Sequence, residues 1–194
     1  REEFAFKQLN PVEQAKHQIQ MRILYGKDPF RFMSDCMFSQ DSVDEQNSIN
    51  QFPDYLEYLQ FLALVWQRKK MLAVPKSRRM YCSWSFIGLY LHDTITKQGR
   101  FNGFVSKKED DAGELVQRAE FILQHIPEWR IPKALLPKLE NNRMSKQPPL
   151  LNFPELNSKI QGFPSGSDQL RQFTLSGLLG DEAARRRPLP REQQ

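Results

Sequence analysis

The chain has few of the residues that staple a fold or carry metal and phosphate chemistry. Its only two cysteines, Cys36 and Cys82, lie far apart and form no CxxC pair. That argues against a disulfide framework and fits an intracellular, reducing compartment. The three histidines, His17, His92 and His125, show no HxxxH or HExxH spacing and have no cysteine at ligand distance, so no metal site is expected. Nine glycines are scattered without a GxGxxG or GxxxxGK[ST] pattern, and a glycine-built phosphate loop therefore has no support. The longest apolar runs, Phe61 to Trp66 and Phe86 to Leu91, fall far short of the roughly 18 to 20 residues that a membrane span requires. The expectation is a chain with no transmembrane span and no cofactor.

What is present is unevenly distributed. Of 13 prolines, four lie in residues 1–126 and nine in residues 127–194. The net charge of +5 divides as +1 and +4 over the same segments. Proline removes a backbone donor and breaks helices, so the last third does not read as a regular domain. The division predicts a helical domain over 1–126 and an extended arm with short helical pieces over 127–194. The chain starts at Arg1 without an initiator Met, which suggests processing or trimming, and its start has no signal-peptide pattern.

Helix signals dominate the first part. Asn10-Pro11-Val12-Glu13 reads as a cap followed by a first turn, and Val12, Ala15, Ile19 and Ile23 recur at helical spacing as a buried stripe. Asp28-Pro29 starts a short helix, and residues 39–51 read as a polar surface loop. Leu56, Leu59, Leu62, Ala63 and Trp66 mark the next helix. Met80, Trp84, Ile87, Leu91 and Ile95 mark another, preferred over a strand suggested by alternation around Cys82, Trp84 and Phe86. Leu115, Ala119, Ile122 and Ile126 follow an Asp110 or Asp111 cap. The fold class expected is mainly α, a small bundle of four or five helices with a long, proline-rich, mostly extended C-terminal arm. Its core is then Ile19, Ile23, Leu59, Leu62, Trp66, Trp84, Leu91, Leu115 and Ile122.

Two features point outward. Arg68, Lys69, Lys70, Lys76, Arg78 and Arg79 place six cations within twelve residues with no acid among them. They are candidates for contact with RNA phosphate or anionic lipid head groups; the plainer reading is a solvated loop after a helix C-terminus. The arm carries Trp129, Leu150, Leu151, Phe153, Phe163 and Phe173, with a basic cluster at Arg185, Arg186 and Arg187. Large hydrophobes need a covering surface, either a partner or the chain's own bundle, with a short helix expected around Leu170 to Leu179. His92-Asp93 with Ser83 or Ser85 is weighed as a hydrolytic set, but sequence proximity does not supply its geometry.

The leading functional expectation is a non-enzymatic accessory subunit of a large multi-protein assembly, docked by its helical domain and wrapping neighbouring subunits with its arm. Basic pI and the missing initiator suggest a mitochondrial location. The alternatives are an RNA-contacting protein of a ribosome-like particle, and an enzyme whose site no motif reveals.

Overall fold

The computed structural model describes residues 2–40, 49–77, 80–140, 149–164, 170 and 172–181. Six α-helices are seen: α1 (Glu2–Lys7), α2 (Pro11–Lys27), α3 (Pro29–Cys36), α4 (Glu57–Arg68), α5 (Cys82–Thr96) and α6 (Glu109–Gln124). Among them run strands β1 (Phe38–Gln40), β2 (Ile49–Gln51), β3 (Phe101–Ser106), β4 (Leu150–Phe153), β5 (Ser158–Pro164) and β6 (Gly177–Gly180). The start signals act as read: Asn10 accepts from the Glu13 N–H while the Glu13 carboxylate accepts from the Asn10 N–H, and Asp28 caps α3.

The mainly α expectation is overturned by a four-stranded mixed sheet of order β4-β5-β3-β6. Strand β3 pairs parallel with both β5 and β6, and β4 closes one edge antiparallel to β5. A second, two-stranded antiparallel ladder joins β1 and β2, where a polar loop was expected. The stretch read as an extended arm supplies three of the four strands of the larger sheet, and Gly177–Gly180 is a strand where a helix was expected. Three of the prolines that suggested irregularity border strands instead: Pro149 and Pro154 flank β4, and Pro164 ends β5.

Helices α5 and α6 pack on one face of this sheet. There the Asn102 amide donates to Thr94 Oγ1 of α5 at 2.9 Å, Phe104 meets Tyr90, and Gly162 lies against the α6 backbone at Ala112. The opposite face carries Phe101, Gly103, Phe163 and Leu178, partly covered by Phe173 and Leu175. Of the expected core, Leu59, Leu91, Leu115 and Ile122 are buried. Leu62, Trp66 and Trp84 are half-buried around it, whereas Ile19 and Ile23 are more than half exposed. The reason is that α2 turns Gln14, His17 and Gln18, with Met21 and Tyr25, toward the rest of the chain.

Candidate functional site

In an open sheet with parallel strands, the carboxyl ends of the strands and the helix starts beside them converge on one rim, where ligands are usually held. Here that rim is formed by the end of β6 and the start of α5. Residues 69–81 lead from α4 to α5, and 71–77 carry no regular structure, with Leu72 and Val74 half-buried between exposed neighbours. The Tyr58 hydroxyl donates to the Met80 carbonyl at 2.9 Å and ties the end of this loop to α4. Tyr81, the N-cap of α5, has φ 51° and ψ 3°. A left-handed tyrosine at a helix start is a local strain of the kind that gathers at ligand clamps.

Three side chains meet at this rim. Ser83, in the first turn of α5, donates to Asp181 at 3.2 Å to Oδ1 and 3.3 Å to Oδ2. Lys76 Nζ stands 3.6 Å from Asp181 Oδ1. Asp181 directly follows β6, and its own N–H donates to the Val105 carbonyl at the end of β3. The cluster is thus a cation, a hydroxyl and a carboxylate, fixed by a loop, a helix start and a strand end. Asp181 and Lys76 are accessible at 18% and 32% of their side-chain surface, enough for a ligand to reach both.

At this rim a groove of about 850 Å3 is lined by residues 176–181 of edge strand β6 and its flanks. Phe86 and Tyr90 of α5 line it, as do the cations Lys69, Lys70, Lys76, Lys97 and Arg100. Gly177 permits the close approach of β6, because a Cβ there would stand 2.5 Å from the Tyr90 ring. The Tyr90 hydroxyl donates to the Leu178 carbonyl on β6 at 3.0 Å. Asp93 offsets part of the positive charge, bonding Lys97 at 2.8 Å, Arg100 at 2.6 Å and the Asn102 amide at 3.3 Å. Burial alone raises a carboxyl pKa, but these donors outweigh it and hold Asp93 below the usual carboxylate range.

The expected phosphate contacts separate by position. Lys69, Lys70 and Lys76 line the groove, and Arg68 ends α4 at the exposed surface. Arg78 and Arg79 lie outside the described residues. The arm residues Leu151, Phe153 and Phe163 are buried in the chain's own sheet, with Leu150 half-buried and Phe173 38% exposed. Trp129 packs on Phe6 and under the Arg130 guanidinium, 4.3 Å from its ring centroid. Arg185, Arg186 and Arg187 lie outside the described residues. His92 and Asp93 form no dyad: His92 Nε2 bonds the Tyr25 carbonyl at 2.6 Å inside the core, while Asp93 faces Arg100.

Sequence reading missed Asp181, Lys97 and Arg100, and weighed Ser83 only as a nucleophile. Ser83 and Asp181 stand 98 positions apart, and their partnership exists only through the sheet. No cluster of three or more metal-ligating side chains occurs among the described residues. No helix among them is long and apolar enough to cross a membrane. No family model matches the chain, and no curated protein is significantly similar to it.

Proposed function

We propose that the rim binds the phosphates of a nucleoside-triphosphate-like ligand together with a divalent cation. The observation that carries this reading is the Lys76–Asp181–Ser83 cluster at the carboxyl end of the parallel strands β3 and β6, beside the start of α5. In P-loop proteins a loop between strand and helix cradles phosphates with backbone N–H groups. A lysine pairs with the phosphate oxygens, and a first-turn hydroxyl with a neighbouring aspartate holds magnesium. Lys76, Ser83 and Asp181 have the chemistry for those three tasks. Magnesium needs few protein ligands when phosphates and water supply the others, so a single carboxylate with a hydroxyl suffices. The loop departs from a glycine-built cradle, and among its described residues the left-handed Tyr81 offers a comparable turn.

The groove's cations favour a polyanionic ligand over a neutral one. The geometry therefore supports small-molecule phosphate chemistry ahead of a purely structural subunit, and the accessory-subunit reading becomes a question about other surfaces.

The test is equilibrium binding of a fluorescent ATP analogue, with and without magnesium. Hydrogen bonds to charged groups contribute about 1.5–3 kcal/mol, so Lys76→Ala is expected to weaken binding about 10- to 100-fold. Asp181→Asn and Ser83→Ala are expected to abolish the magnesium dependence. Binding insensitive to all three substitutions, or none at millimolar ligand, rejects the proposal. Phosphate release on prolonged incubation then separates a hydrolase from a binding module.

A further inference from the structure

Helix α2 is built inside out. Its half-buried and buried positions are Gln14, His17, Gln18, Met21 and Tyr25, and Gln18 Nε2 donates to the Glu128 carbonyl at 3.2 Å. Its outward positions include Val12, Ala15, Ile19 and Ile23, with Val12 64%, Ile19 54% and Ile23 55% exposed. At 100° per residue those four share one face, centred opposite the Met21 side, and Gly26 joins them with open space around its Cα. A helix that spends its polar side on its own chain while presenting isoleucines outward has the pattern of a docking face. The stripe spans four turns, and its small members, Ala15 and Gly26, permit close approach of another backbone.

Charge defines the occupant. Lys16, Arg22 and Lys27 flank the stripe on its two sides, all exposed, and none makes an ion pair among the described residues. The single acid of the helix, Glu13, is engaged in the N-cap of α2. A second copy of this chain laid on the stripe would bring two sets of cations together, a like-charge juxtaposition that disfavours self-pairing. A lipid surface is favoured by Trp, Phe and Leu on the apolar face, and this face has only β-branched and small residues. We propose that α2 is a docking surface for an amphipathic helix of another protein whose apolar stripe is flanked by carboxylates. The apolar stripes supply burial, and the carboxylates on the incoming helix set its register by pairing with Lys16, Arg22 and Lys27.

The test uses the full chain as bait for a displayed library of helical peptides. Enriched peptides are expected to carry apolar residues at helical spacing with Asp or Glu beside them. Synthetic versions should lose at least about tenfold in affinity against Ile19→Asp or Ile23→Asp, and similarly against Lys16→Glu with Lys27→Glu. A peptide with its acids exchanged for lysines should recover on the Lys16→Glu, Lys27→Glu chain. Unchanged circular dichroism of these surface variants ties any loss to the interface. The proposal is overturned by no enrichment, by peptides without acids, or by binding that survives Ile19→Asp. It is equally overturned by a wild-type dimer that Ile19→Asp dissociates, or by phosphatidylserine vesicles that bind through the stripe.

Discussion

His92 and Asp93 are adjacent residues with opposite electrostatic tasks. His92 is kept neutral by burial, which lowers its pKa even though its bond to the Tyr25 carbonyl acts the other way. Its unfolded value is about 6.5, so the unfolded chain takes up a proton first as pH falls. Stability should be undiminished above about pH 6.5 and decline below it, with Asp93 adding a further loss below about pH 4. Denaturant midpoints measured from pH 7.5 to 4 check this; a flat profile from 7 to 5 contradicts it. Asp93→Asn leaves Arg100 and Lys97 without their counter-charge. The cost of breaking a buried pair is about 3–5 kcal/mol, reduced here to about 2 because both cations are partly exposed. Chemical denaturation reads that loss directly. At this scale the sequence was informative for local pairs such as Asn10 with Glu13, and silent on Ser83 with Asp181. A cap is written within four residues, whereas a rim is written by strand order.

Among the elements, the hidden part of the fold is the pairing of β3 with β5 and β6. Strand β3 is buried almost throughout yet contains Asn102, Gly103 and Ser106, so it shows neither alternation nor a β-branched run. The Asn102 amide nitrogen is satisfied there by Thr94 and Asp93, while its Oδ1 has no hydrogen-bond partner among the described residues. The same need for close approach fixes Gly162 in β5, where a Cβ would stand 3.0 Å from Pro149 and 3.1 Å from the Ala112 carbonyl. Backbone on α6 cannot swing aside as a side chain does, so Gly162→Ala should destabilise by about 1–3 kcal/mol. A lowered thermal midpoint with unchanged secondary structure is the expected readout. Helices α2 to α6 were legible because their periods are local, but caps act as read only at α2 and α3: α6 starts after Lys108 and not at an Asp110 or Asp111 cap. The exposed stripe of α2 was misread because periodicity marks an apolar face without saying whether the chain's own core covers it.

In the whole molecule, strands from both sides of the expected boundary near residue 126 pair with each other. A chain cut after residue 140 loses β4, β5 and β6 and leaves Phe104 and the apolar face of α6 uncovered. It should show no cooperative unfolding transition by calorimetry, whereas an independently stable helical domain would retain one. Among the described residues, prolines of that segment such as Pro149, Pro154 and Pro164 stand at strand ends, which a helix-based reading takes for a tail. Strand β6 carries a consequence for how the protein comes into being. Synthesis runs from the N- to the C-terminus, so Lys76 and Ser83 are made long before Asp181, 98 residues after Ser83. At about 5–20 residues per second that interval is about 5–20 s. Throughout it a nascent chain lacks the carboxylate of the rim, so on the proposed reading a growing polypeptide would be unable to hold magnesium-bound nucleotide there.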